Sequence, residues 1–198
     1  GKLMSSIWGN NVRISIFGES HGSAIGVTID GLPSGIELDI DDIKLEMQRR
    51  APNKDKISTP REEKDEFEIL SGYFNNKTTG TPLSIIIRNK DSKSKDYEKV
   101  KDFPRPGHAD FTGNIRYSGF NDYRGGGHFS GRITAPLVFA GSIAKQILKS
   151  QDIIIGSHIK SIGNVEDISF NENNLSSYLL KDLKGKRLPT IKEEKSLE

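Results

Sequence analysis

Three of the four histidines lie in glycine-rich stretches of irregular sequence, where a side chain can reach into a cleft. His21 stands in Gly-Glu-Ser-His-Gly, His108 in Arg-Pro-Gly-His-Ala-Asp, and His128 in Gly-Gly-Gly-His-Phe-Ser-Gly-Arg. Histidine is the side chain best suited to exchanging protons near neutral pH. For any single one, a hydrogen bond to its own loop is the simpler interpretation. Three in similar settings, each near an arginine or an aspartate, favour proton transfer.

A run of glycines between two arginines leads into an apolar, helix-like segment at residues 133–148. Glycines let backbone N–H groups converge on a ligand, and the start of a helix carries unpaired donors and a partial positive charge. Such a loop predicts an anion site. The alternative is a tight turn that lets a buried helix approach a strand. The flanking Arg124 and Arg132 favour phosphate or a phosphorylated cofactor.

Basic residues recur at positions that we predict to be loops or helix ends. They are Arg49, Arg50, Lys56, Arg105, Arg124 and Arg132. Guanidinium groups match the oxygens of phosphate and carboxylate, although any one of these residues could simply be a surface charge. Taken as a set, they predict a phosphorylated, anionic small molecule as the partner, with histidines moving protons.

Two other kinds of site fit the pattern poorly. Ser20 beside His21 could indicate a nucleophile, but the Gly-x-Ser-x-Gly elbow is missing. The histidines are far apart and lack the spacings of metal ligands, so we predict no metal. His158 lies in a strand-like pattern, and we interpret it as structural.

Composition limits the classes of function. The chain has 198 residues, a net charge of +2 and no cysteine. So small a net charge argues against a nucleic-acid or membrane partner, and no segment reaches the roughly 18 apolar residues of a membrane span. The absence of cysteine excludes disulfides and a cysteine nucleophile, and it is consistent with a reducing cytoplasm. The length allows one large domain or two small ones, and we treat residues 1–198 as one.

Hydrophobic periodicity predicts the elements that must position these residues. We expect strands at residues 12–17, 25–30, 66–70, 82–88 and 153–159. We expect helices after a cap at Asp39, over residues 133–148, and over 175–183. The first two strands form a hairpin whose polar turn carries His21. The apolar helix reads as hydrophobic nearly all round, so we expect it to be buried. Residues 103–121 read as irregular, and residues 89–102 as a solvated loop that could act as a lid.

Several long motifs, in order, resemble those of the chorismate synthase family. They are Gly-Glu-Ser-His-Gly at 18–22, Gly-Leu-Pro-Ser-Gly at 31–35, Arg-Pro-Gly-His-Ala-Asp at 105–110, and the glycine-rich stretch at 122–134 followed by residues 138–143. The similarity runs from about Trp8 to about Pro189. It implies an α+β fold: a β-α-β sandwich in which antiparallel sheets pack around central helices. It also implies a homotetramer.

The resemblance implies a particular reaction. The family converts 5-enolpyruvylshikimate 3-phosphate to chorismate and phosphate by an anti-1,4 elimination, the last common step toward the aromatic amino acids. The reaction has no net redox change, yet it needs reduced FMN, which lends an electron transiently and takes up a proton. Some members reduce their flavin with NADPH. The difficult electronic step would therefore belong to the cofactor.

Family roles carry over to matching positions of this chain. His21 matches the histidine that protonates the departing phosphate, and His108 matches the one that protonates the reduced flavin. The resemblance implies cofactor contacts at Arg50, Lys56, His128, Phe129 and Ser130, and substrate contacts at Ser20 and Arg132. Among the basic residues predicted to bind anions, we add Arg124 to the cofactor site and Arg49 and Arg105 to the substrate site.

The chain departs from the family pattern in three ways. Family members often have Arg-Ser-Ser where this chain has His128-Phe129-Ser130, and Lys56 replaces an arginine. The similarity covers only about the N-terminal half of the family, without the aspartate proposed as base. We therefore expect the chain alone to be inactive or nearly so and to bind FMN weakly.

Two further readings remain open. One is a non-catalytic binding or assembly module that keeps the fold without turnover. The other is a nicotinamide- or flavin-dependent oxidoreductase, which the missing Gly-x-Gly-x-x-Gly spacing disfavours.

Overall fold

A computed structural model describes residues 6–51, 65–89, 103–171, 175–186 and 188–192. Residues 90–102 of the loop predicted as a lid (89–102), the loop around Lys56 and the last residues from 193 lie outside these ranges. The chain divides into two compact units, residues 1–143 and 144–198, described separately below. In the described part of the chain, every helix is too short or too polar to cross a membrane.

The first unit is organised around a five-stranded antiparallel sheet. Its strands are β1 (Ile7–Trp8), β2 (Arg13–Gly18), β3 (Ala24–Asp30), β4 (Phe67–Ser71) and β7 (Leu83–Arg88), in the order β1-β2-β3-β7-β4. The register aligns Ile16 with Val27 and Val27 with Ile85. Alternate β-branched residues of β3 and β7 are buried, as expected for strands that pack one face on a core. The predicted hairpin at 12–30 is confirmed.

A helix and a small hairpin accompany the sheet. Helix α1 (Ile40–Arg50) begins at Asp39, whose Oδ1 accepts a hydrogen bond from the Asp42 amide, as the capping pattern predicts. Between β4 and β7 lies a hairpin that the sequence analysis missed, β5 (Tyr73–Phe74) and β6 (Lys77–Thr78). The buried Thr78 hydroxyl stabilises it by donating to the Pro33 carbonyl.

Two predictions for residues 103–148 need correction. The stretch expected to be irregular contains a short helix, α2 (Asp110–Arg116). The apolar helix is present as α3 (Thr134–Lys149), but it is not buried on all sides, since Leu137 is 40% exposed. Its buried Phe139 packs edge-on against Phe67 of β4 with ring centroids 4.9 Å apart. Facing one sheet, the helix needs only one apolar side.

The second unit contains a two-stranded hairpin, β8 (Ser161–Ile162) and β9 (Val165–Glu166), and helix α4 (Ser177–Gly185). The helix matches the prediction for residues 175–183. The strand predicted at 153–159 is wrong: those residues form no ladder. A strand is stable only when it pairs with a neighbouring strand. Here Gly156 instead lies against Leu180 of α4, and the Ile159 amide bonds the Pro189 carbonyl.

Candidate functional site

The turn that joins β2 to β3, residues 19–23, carries two of the predicted site residues. We call it the His21 turn. Ser20 is 1% exposed and His21 is 7% exposed, although both belong to a polar turn at the end of the sheet. The Ser20 amide donates to the Gly127 carbonyl at 3.1 Å. The turn is therefore buried by the glycine-rich segment, which lies more than 100 residues further along the chain.

Residues 125–127, the glycine run, adopt backbone angles that favour glycine. Their φ values are +59°, +85° and +54°. A Cβ on Gly125 would lie 2.2 Å from Cε1 and 2.3 Å from Nδ1 of His21. The glycine run therefore lets its backbone approach the His21 turn closely. Close approach is the role that the tight-turn alternative gives to these glycines. The glycine run leads through a short 3₁₀ turn (Gly131–Ile133) into α3.

His128 is held by hydrogen bonds at both ring nitrogens. Nδ1 lies 2.8 Å from the Gly18 carbonyl, and Nε2 lies 2.7 Å from the Ser6 hydroxyl. Because a carbonyl only accepts, Nδ1 carries a proton. The imidazole thus ties the glycine-rich segment to the end of β2. Its predicted flavin contact stays a prediction.

A buried carboxylate joins two of the predicted arginines. Asp65 has a side chain that is 0% exposed, and its Oδ2 accepts from Nε and Nη2 of Arg50 at 2.9 and 2.7 Å. Its Oδ1 accepts from Nη1 of Arg132, whose side chain is also buried. Three residues from three segments thus form one ionic cluster, which we call the Asp65 cluster. Sequence reasoning missed Asp65 because it follows a charged stretch that reads as solvated.

Asn89 was also missed, since it begins the stretch predicted to be a solvated loop. It directly follows β7 and bonds both the His21 turn and Arg132. No local signal marks it, because each of its side-chain partners is at least 43 positions away in the sequence.

The remaining predicted arginines pair with nearby carboxylates. Arg105 bonds Asp110, Arg124 bonds Asp122, and Arg49 bonds the buried Glu46. Hydrogen bonds from the partner arginine lower the pKa of the Asp110 and Asp122 carboxyls. The positive charge of His21 would also lower the pKa of Asp122, which places that carboxylate within electrostatic reach of the ring.

The remaining predicted residues make contacts of their own. His108 is exposed, and its Nδ1 lies 2.9 Å from the Pro106 carbonyl of its own loop. Phe129 is 43% exposed and lies against Gly113 of α2. Ser130 accepts a hydrogen bond from the Arg132 amide through its hydroxyl. Lys56 lies outside the described residues.

The residues that the structure does bring together are Ser20, His21, Arg50 and Arg132. The first two are held on the turn, and Arg132 is linked to that turn through Asn89. Arg50 joins them through Asp65. A buried imidazole on a turn that is hydrogen-bonded, through Asn89, to a cluster with more cations than anions is suited to proton transfer to an anionic group.

Comparison with known proteins identifies the family. The family model described as chorismate synthase matches residues 12–196. A chorismate synthase of Thermococcus kodakarensis is 48% identical over 177 residues, which cover 89% of this chain and 47% of that protein. One from Chitinophaga pinensis is 49% identical over 160 residues, covering 81% of this chain and 48% of its own.

The solved structures agree. A crystal structure of chorismate synthase superposes with a TM-score of 0.65 at 28% identity, covering 95% of this chain and 51% of that one. The expected α+β class with antiparallel sheets is thereby confirmed. The chain spans about half the length of the relatives that it matches. The match over residues 12–196 nevertheless covers nearly the whole chain, and the chain belongs to the chorismate synthase family.

Proposed function

We propose that this chain is the N-terminal part of a chorismate synthase, a phospho-lyase that converts 5-enolpyruvylshikimate 3-phosphate to chorismate and phosphate. The observation that carries the proposal is the buried position of His21 against the glycine run, on a turn that Asn89 links to Arg132 and its cluster. The family match and the relatives named chorismate synthase support the same reaction.

His21 is the proton donor in this proposal. The ring edge with Cε1 and Nδ1 faces Gly125, and Nε2 is not among the three heavy atoms nearest to a Cβ at that position. We assign to Nε2 the proton that neutralises the departing phosphate. Burial excludes water from the ring and strengthens its interaction with an anion. Arg132 and Arg50 would orient the anionic groups of the substrate.

Reduced FMN, with NADPH as its possible reductant, is the cofactor that we propose for the complete enzyme. It would supply the transient electron for breaking the C–O bond. The residues described in this half do not by themselves fit its phosphate. Arg49, Arg105 and Arg124 each bond a carboxylate that offsets their charge. Among the described residues, only the Asp65 cluster, which we assign to the substrate, has two arginines on one carboxylate. We therefore expect the other half of the enzyme to complete the flavin site.

The other properties of the enzyme follow from the family in the same way. We propose a cytoplasmic homotetramer with a phosphorylated small-molecule substrate. The chain alone is expected to be inactive, because the relatives are about twice as long. Phosphate release at full-length rates from the purified chain would contradict that expectation.

The test of the proposed reaction is His21→Asn in the full-length protein that carries this chain. With reduced FMN under anaerobic conditions, phosphate release should fall about 10²- to 10⁴-fold, the usual contribution of a general acid. His158→Asn is the control, since that histidine lies in the second unit beside Asp167 and Phe170. No phosphate release by the unaltered protein, or an undiminished rate in His21→Asn, would refute the proposal.

A further inference from the structure

One amide side chain holds both ends of the His21 turn. Nδ2 of Asn89 lies 3.1 Å from the Glu19 carbonyl and 2.9 Å from the Gly22 carbonyl. The backbone amide of Asn89 also donates to the Ser23 carbonyl at 3.1 Å. A side-chain amide has two N–H donors. Both are directed at the backbone that flanks Ser20 and His21.

The other end of the same amide faces the Asp65 cluster. Oδ1 of Asn89 accepts from Nε of Arg132 at 3.2 Å. Guanidinium only donates and carbonyls only accept, so the amide orientation satisfies all three partners and the reverse orientation satisfies none. Asn89 therefore connects the His21 turn to Arg132 and, through Asp65, to Arg50.

We propose that Asn89 is a positioning residue, which sets the location of His21 relative to the arginines of the Asp65 cluster. The inference rests on the proposed function, in which His21 and these arginines act on the same substrate. A proton donor must lie within hydrogen-bond reach of the group it protonates, and a misplacement of about 1 Å can cost about 10²-fold in rate. The sheet alone does not fix the turn, because residues 19–23 lie beyond the last paired residues of β2 and β3.

The test is Asn89→Asp in the full-length protein. Aspartate has the same shape and keeps the acceptor for Arg132, but it places an oxygen against two carbonyl oxygens. We expect kcat for phosphate release to fall about 10²-fold, while KM changes much less. The control is Asn10→Asp, which makes the same change of charge at an exposed position. Asn89→Ala, which removes the hydrogen bonds without adding repulsion, should also lower kcat.

A second readout does not depend on activity. Hydrogen–deuterium exchange, followed by mass spectrometry, should be faster in Asn89→Asp for peptides that contain residues 18–23. Peptides from the central strands should be unchanged. Peptides of α4, in the second unit, serve as an internal reference.

The outcomes separate the two proposals. Unchanged kcat and unchanged exchange in both Asn89 variants would overturn the positioning role. Faster exchange throughout the protein, with a lower melting temperature, would also overturn it by showing a role in folding only. If the unaltered protein releases no phosphate, the proposed function fails. A local change of exchange in the His21 turn would then still establish that Asn89 holds the turn, and the absence of that change would refute it.

Discussion

The contact between Gly125 and the ring of His21 allows a direct test of the site geometry. In Gly125→Ala, the new methyl would lie 2.2 Å from Cε1 of His21 and 3.2 Å from Oγ of Ser20. Carbon atoms in contact are about 3.5 Å apart, so the ring or the glycine run must shift by about 1.3 Å. The backbone φ of +59° adds strain for any residue with a Cβ.

Gly126→Ala is the matched control, because it shares the backbone strain without the collision. Gly126 has a φ of +85°, and its new methyl would have its nearest contact at 3.6 Å, with Cβ of Ser130. The left-handed conformation costs about 1–2 kcal/mol for an alanine in either variant. Overpacking against the buried ring of His21 costs about 1–3 kcal/mol more, and it occurs only in Gly125→Ala.

The assay compares the two variants in denaturant unfolding and in phosphate release by the full-length protein. We expect Gly125→Ala to be less stable than Gly126→Ala by about 1–3 kcal/mol. We also expect its kcat to be about 10²-fold lower, because the displaced imidazole is the proposed proton donor. Equal stability and equal kcat in the two variants would refute the close packing of the glycine run on His21.

Three further substitutions test the contacts around the site. Asp65→Asn removes a buried charge but keeps a residue that tolerates the φ of +44° at this position. It should lower the free energy of unfolding in urea by about 3–5 kcal/mol. The control Glu68→Gln, in an exposed ion pair, should have little effect. His128→Ala should lower stability by about 1–3 kcal/mol through the loss of two hydrogen bonds, and an unchanged midpoint would contradict its structural role. Hydrogen bonds from Arg124 lower the pKa of Asp122 in the folded protein. The stability that the Asp122 carboxylate contributes is therefore complete above the unfolded-state pKa of about 3.9, and it is lost as the pH falls through the lowered folded-state pKa. Asp122→Asn should therefore be less stable than the unaltered protein by roughly 1 kcal/mol at pH 7. The difference should shrink as the pH falls below about 3.9 and disappear below the lowered pKa; a difference independent of pH would contradict the assignment.

Local sequence signals predicted the elements near the site well. The alternation of apolar residues predicted the hairpin of β2 and β3, with His21 in its turn. The spacing of Asp39 and Asp42 predicted the start of α1. These features depend on neighbours in the chain, so a single sequence contains the information needed. The strand predicted at 153–159 is wrong for the opposite reason, because pairing requires a partner that only the tertiary structure provides.

The predicted site residues are only partly a guide to the site. The sequence predicts the arginines as anion ligands, but it does not predict their carboxylate partners. The pairing of Arg124 with Asp122 is local and could have been recognised from the sequence. The pairing of Arg132 with Asp65 spans 67 positions and could not.

The family, the hairpin with its histidine and the main helices follow from the order of the amino acids, because long motifs and local periodicity are properties of the chain. Which polar groups meet depends instead on how the chain folds. Asn89 and Asp65 acquire their roles because the order β2-β3-β7-β4 brings the ends of distant segments together. Buried donors and acceptors must then find partners at that location, whatever their separation in sequence.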